Sequence, residues 1–174
     1  MNSRAALGAD GPLARAIPDY SARRSQQDMA ACIEQVLADQ SILVAESGTG
    51  TGKTYAYLVP ALLSGRKVLI STGTRNLQDQ LFHRDLPQVR AALGVPVDTA
   101  LLKGRANYVC LHHLEAAAGQ ATYAGRDDLA HLQKIRSFAA RTVTGDRGEC
   151  ADVPEGSGAW ALATSTRENC LGSA

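Results

Sequence analysis

The run Glu46-Ser47-Gly48-Thr49-Gly50-Thr51-Gly52-Lys53-Thr54 has the residue types and spacing of a phosphate grip. Glycines at 48, 50 and 52 let the backbone curl tightly enough for successive N–H groups to face phosphate oxygens. The lysine that follows reaches the β- and γ-phosphates, and the threonine hydroxyl after it suits Mg²⁺. Lys53 and Thr54 are therefore the candidate catalytic pair. Ser47, Gly48, Thr49, Gly50, Thr51 and Gly52 form the expected cradle around ATP. The strict pattern G-x-x-x-x-G-K-[ST] asks for glycine where this chain has Ser47, a residue small enough to permit the turn.

Such a loop works between a strand and a helix. Ile42, Leu43, Val44 and Ala45 supply an apolar run of strand length before it, and helical spacing follows, so a helix starting near Gly52 aims its positive end at the phosphates. Upstream, Tyr20, Arg23, Gln26 and Met29 lie three apart. The Gln26 amide offers the donor and acceptor that match an adenine edge, with Arg23 beside it; the plainer alternative is a solvated glutamine near a helix start. Ser25 with Asp28 fits a helix-capping pattern, and Met29, Cys32, Ile33, Val36 and Leu37 fall on one face, which makes Cys32 a core residue.

Beyond the loop, Tyr55 to Leu63 continues helical, kinked by Pro60 and ended by Gly65. Val68, Leu69 and Ile70 form a second strand. It ends in Ser71-Thr72-Gly73-Thr74-Arg75, where the hydroxyls of Thr72 and Thr74 suit either a nucleic-acid phosphate backbone or an ordinary helix cap. A helix runs towards Arg84, restarts at Asp85-Leu86-Pro87 and closes at Gly94, and Val97 to Leu102 is a third strand. This β-α-β-α-β rhythm predicts an α/β fold, a parallel sheet with covering helices. After Lys103 the pattern changes to a helical stretch about Asp128 to Ala140 and a glycine-rich segment from Thr144 to Gly158, which reads as an insertion.

Composition narrows the classes. With 174 residues, 45% of them hydrophobic, the chain is long enough for a real core. Lys+Arg 18 against Asp+Glu 17 leaves a net charge of +1, so nucleic-acid binding has to come from local sites. No apolar run approaches the roughly 18 residues of a membrane span and Met1 to Gly8 has no apolar leader core, so the expectation is a cytoplasmic protein with no membrane partner. Cysteines at 32, 110, 150 and 170 lack compact spacing, and the short C-x₂₋₄-C knuckle of structural zinc sites is absent.

Taken in order, several pieces resemble the DinG/XPD family of iron-sulfur, ATP-dependent DNA helicases, in its bacterial branch. They are Tyr20-x-x-Arg23-x-x-Gln26-x-x-Met29, the Glu46 to Thr54 loop, Ile70-Ser71-Thr72-Gly73-Thr74 with Leu77 and Gln80, Lys103-Gly104-Arg105 with Asn107-Tyr108 and Cys110, and Asn169-Cys170-Leu171-Gly172. The resemblance implies a motor that moves 5′ to 3′ on single-stranded DNA, unwinds forked or flap structures, and works as a monomer at full length. It also implies a first RecA-like domain carrying a [4Fe-4S] insertion, with Cys110 and Cys170 in the positions of the first two ligands. Cys150 matches no ligand position and reads as a free surface thiol.

On this reading residues 1–19 are a loosely ordered lead-in, 20–104 part of the RecA-like domain, and 105–174 part of the iron-sulfur insertion. Arg23 and Gln26 read the base, Lys53 and Thr54 hold Mg-ATP, and Thr72 and Thr74 touch DNA. The family's Asp-Glu-Ala-His box has no counterpart, because no Asp-Glu pair occurs in the sequence. The chain is therefore expected to be an N-terminal helicase fragment, inactive by itself. The alternative is a stand-alone P-loop nucleotide-binding module or small kinase, which wants an acidic residue at a strand end; here those ends are Ser71 and Lys103.

Overall fold

The computed structural model describes residues 1–120 and 126–172. The chain divides into two compact units, residues 1–100 and 101–174. In the first, the alanine- and leucine-bearing start is folded. Helix α1 (Ser3–Ala6) is capped by the Asn2 side chain and α2 (Pro12–Ala16) begins on a proline. Ala6, Leu7 and Leu13 are completely buried, so these residues tie the segment expected as a loose lead-in to the core. The ion pair from Arg4 to Asp28 at 2.7 Å joins half-exposed groups, worth under about 1 kcal/mol. Each buried leucine contributes about 1.5–3 kcal/mol, so burial is what holds the segment down.

Helix α3 (Arg24–Asp39) starts from Arg23 with no side-chain cap, and Asp28 serves the ion pair with Arg4 in place of a capping box. Its buried positions are Gln26 and Ala30, which turns Cys32 out to solvent, contrary to the core position expected. Small Ala30 lets α4 (Lys53–Leu63) pack closely on α3, and α4 buries Ala56, Leu58, Val59, Pro60 and Leu62. Next come α5 (Arg75–Gln80), one π-helical turn over Leu81–Asp85, and α6 (Leu86–Leu93), which has Pro87 in its first turn and left-handed Gly94 as its cap. The restart and stop expected at Pro87 and Gly94 are where the sequence puts them.

The three expected strands are not paired into a sheet among the described residues. Exposure still alternates with the period of extended chain. Ile42, Val44 and Leu69 are 91%, 93% and 92% exposed, against 39%, 39% and 37% for Leu43, Val68 and Ile70. One row of side chains is partly covered and the other bare, whereas a parallel ladder is found with both faces covered.

The second unit is built on α7 (Leu111–Gln120), α8 (Arg126–Ala139) and α9 (Ala159–Ala163). Its core comprises Leu114, Leu132, Ile135, Phe138, Cys150, Val153 and Trp160, among others. Isolated antiparallel bridges join Tyr108 to Asp146 and Val109 to Thr164, and the largely buried Lys103 and Asp146 pair at 2.8 Å. Cys150 is 5% exposed, which corrects the surface thiol expected: the turn from Arg147 to Glu149 points it at the core.

Leu13→Ala lowers stability by about 2–5 kcal/mol in urea unfolding, and an unchanged midpoint contradicts the packed role of the N-terminal segment. Burial also raises the Cys150 thiol above its ordinary value of 9.0, so it lags Cys32 in alkylation at pH 8 by at least about tenfold. A raised folded-state value means stability is complete below about pH 9 and falls as pH rises beyond it. Cys150→Ala flattens that decline; equal alkylation rates at Cys32 and Cys150 contradict the burial.

Candidate nucleotide site

The loop turns on two left-handed glycines, Gly50 at φ +73° and Gly52 at φ +83°, and Lys53 is the first residue of α4. A side chain at 52 is disfavoured for a second reason. A Cβ there would lie 2.1 Å from the Gln26 amide nitrogen. That nitrogen donates to the Gly52 carbonyl at 2.9 Å, and the same carbonyl accepts the Ala56 N–H at 3.2 Å, the first bond of the helix. Gln26 is 4% exposed, with its amide oxygen 3.1 Å from the Tyr20 hydroxyl. In this structure the Gln26 amide therefore positions the loop's exit, a use the adenine-reading expectation did not include.

The other loop residues close the turn on itself. The Thr51 hydroxyl donates to the Gly48 carbonyl at 3.0 Å, which leaves Ser47 to donate to Thr51 across 2.6 Å. Serine in place of the pattern's glycine thus supplies a hydroxyl as well as fitting. The Lys53 ammonium donates to the Ser47 carbonyl at 2.9 Å and to the Gly48 carbonyl, and the Arg23 guanidinium donates to the Gly50 carbonyl. Arg23, Gln26, Ser47, Gly48, Gly50, Thr51, Gly52 and Lys53 are thereby gathered into one cluster of contacts. Thr54 hydrogen-bonds Tyr57, whose phenol burial raises above its usual value while this bond works against the rise.

The other expected site residues lie apart from this cluster. Thr74 caps α5, accepting the Leu77 N–H at 3.2 Å, and the Thr72 hydroxyl donates to the Thr74 carbonyl at 3.3 Å. The capping use foreseen for this turn is present. Cys110 stands at the head of α7, its N–H donating to the Ala163 carbonyl at 2.8 Å. His113 on α7 bonds the Asn169 carbonyl at 3.3 Å, which ties the helix after Cys110 to the stretch holding Cys170. The described residues contain no group of three or more His, Cys, Asp or Glu able to hold a metal ion. Two half-buried thiols do not fit a [4Fe-4S] cluster, which takes four.

Sequence reasoning missed the Leu7 carbonyl and the use made of Tyr20. Tyr20 was visible in the three-residue spacing; Leu7 contributes only backbone, which no residue type announces. Its carbonyl accepts from Tyr20 at 2.9 Å and from the Gln27 amide at 3.1 Å.

A glycine-hinged loop closing onto the first turn of a helix, braced by a buried glutamine, defines a P-loop nucleotide-binding site. The comparisons narrow the class: residues 26–138 match the model of the DEAD/DEAH box helicases, and the chain belongs to that family, whose fold is the P-loop RecA-like type. It is 51% identical over 168 residues to the ATP-dependent DNA helicase YoaA of Escherichia coli, covering 94% of this chain and 26% of that protein. The ATP-dependent helicase DinG of Mycobacterium tuberculosis is 36% identical, over 86% of this chain and 26% of its own length. The Bacillus subtilis protein named 3′-5′ exonuclease DinG is 31% identical, over 86% of this chain and 16% of its own length. The chain thus spans about a quarter of the length of the first two relatives.

Gly52→Ala tests the site. A left-handed dihedral costs alanine about 1–2 kcal/mol, and the clash with Gln26 adds to it. Titration of the purified chain with a fluorescent ATP analogue and Mg²⁺ is expected to show binding weakened by more than about tenfold. Unchanged affinity contradicts the packing of Gln26 on Gly52.

Proposed function

We propose that this chain grips the triphosphate of Mg-ATP within the first RecA-like domain of an ATP-dependent DNA helicase moving 5′ to 3′ on single-stranded DNA. The observation that carries this reading is the Ser47–Thr54 loop closing onto the head of α4, in a chain of the DEAD/DEAH box family. Loop N–H groups and the helix dipole bind the phosphates, Lys53 neutralises the β- and γ-oxygens, and Thr54 offers its hydroxyl to Mg²⁺. The metal ion, when bound, offsets charge on the transferring phosphoryl group. Arg23 is proposed to face the base and Thr72 and Thr74 the DNA backbone, while the Gln26 amide is engaged by the Gly52 carbonyl and the Tyr20 hydroxyl.

Wider features are proposed on the same basis. Segments 42–45, 68–70 and 97–102 are strands of a parallel sheet, with 20–104 as the RecA-like part and 105–174 as the insertion. Forked or flap DNA as substrate and a monomeric enzyme follow the resemblance, and the cytoplasm is proposed alongside them. No helix among the described residues is long and apolar enough to cross a membrane. The cluster assignment of Cys110 and Cys170 rests on the resemblance alone, as the beginning of a ligand set, and no step is routed through it. The kinase alternative is not favoured, since neither strand end carries the acidic residue it needs. The exonuclease activity in one relative's name is not carried over, because the matched portion of this chain bears the helicase family's model.

Without an Asp-Glu pair, this polypeptide lacks a residue pair to hold Mg²⁺ through water and activate the attacking water. It is expected to bind ATP without helicase-like turnover. A DNA-stimulated ATPase assay on the purified chain tests this. Turnover of about 1 s⁻¹ or more that is lost in Lys53→Ala refutes the expectation.

A further inference from the structure

The geometry points to a positioning relay in which the Leu7 carbonyl and the Tyr20 hydroxyl, acting through Gln26, fix the Gly52 carbonyl and with it the first turn of α4. The inference rests on the nucleotide reading of the loop and extends it: Tyr20 becomes a positioning residue for the phosphate grip, and residues 1–7 become its anchor.

The relay is fixed by what each atom can donate. The Leu7 carbonyl is saturated, taking the Tyr20 hydroxyl at 2.9 Å and the Gln27 amide at 3.1 Å. The Gln26 amide has one workable orientation. Turned over, its oxygen would face the Gly52 carbonyl, acceptor against acceptor, so the nitrogen must point there and the oxygen must look to Tyr20. The phenol has a single proton between two acceptors and shares it. Its burial raises the Tyr20 value above the usual phenol range, so the proton stays on. The Tyr20 ring also stacks on Tyr55 of α4, with centroids 6.5 Å apart and planes 22° from parallel, a second brace on the same helical turn.

Each end of the relay has its own support. At one end, Ser3 and Leu7 are fully buried and the Ser3 N–H donates to the Glu34 carboxylate at 2.7 Å, which ties α1 to α3. At the other, the Gly52 carbonyl starts the hydrogen-bond ladder of α4, and Lys53 and Thr54 follow it directly. A carbonyl held at this point sets the direction of the next two N–H groups, which are those a phosphate would meet.

Tyr20→Phe removes the shared proton and keeps the ring. By hydrogen-exchange mass spectrometry on the nucleotide-free chain, the amides of residues 48–54 are expected to exchange about threefold faster or more, with those of α6 unchanged. Unchanged loop exchange, or an equal rise in α6, overturns the relay. Titration with a fluorescent ATP analogue and Mg²⁺ gives a second readout. Tyr20→Phe should bind about three- to tenfold more weakly, Gln26→Ala at least as weakly, and the double variant no more weakly than Gln26→Ala. Effects that multiply in the double variant overturn action through Gln26. If the wild-type chain does not bind the analogue, or Lys53→Ala binds it equally well, the nucleotide reading falls while the exchange result still decides the relay.

Discussion

One buried amide sets the direction of the phosphate loop. Gln26 lies under the bend at Gly52, and its nitrogen shares the carbonyl that also begins α4. That contact demands a residue with no side chain at 52 and a left-handed turn there, and it fixes where Lys53 emerges. It also has to be made once Gln26 is buried, because an unpartnered buried amide costs about 1–3 kcal/mol. Loop geometry and the packing of α3 on α4 are therefore one constraint. A change in either is felt in the other.

The two units solve the problem of a stable core differently. In the first, α3 and α4 pack through small and aliphatic residues while the extended segments keep one bare row of side chains. The second draws on a glycine-rich, poorly periodic stretch and closes it over Trp160, whose indole N–H is satisfied by the Pro154 carbonyl at 3.1 Å. The Lys103 to Asp146 pair adds a largely buried ion pair at 2.8 Å, and the Asp146 carboxylate also accepts the Gly148 N–H at 2.9 Å. A buried pair of this kind stabilises only when its lone pairs are further satisfied, which this second bond helps to do.

Much of the nucleotide site was legible because its chemistry is local. Glycine spacing, a lysine and a threonine in sequence, and the restart at Pro87 are short-range facts that residue types announce. Longer-range facts were not legible. The periodicity of Met29, Ile33 and Leu37 puts Cys32 on the packed face of α3, yet Ala30 lets α4 approach on a rotated face. The polar neighbours of Cys150 read as surface, while a single turn directs the thiol inwards. Residues 1–19 lacked a helical period long enough to read, and they fold in two short pieces on buried Leu7 and Leu13. Apolar runs signal extended segments, and pairing is a property of neighbours that such runs do not encode.

The central claim is that the loop at the head of α4 binds a triphosphate through its β- and γ-groups. Isothermal titration of the 174-residue chain with ATP and with AMP, both in Mg²⁺, tests it most directly. Binding of ATP at least about tenfold tighter than AMP is the predicted result, since Lys53 and the loop N–H groups act beyond the α-phosphate. Equal affinity for the two, or no binding of ATP, contradicts the account.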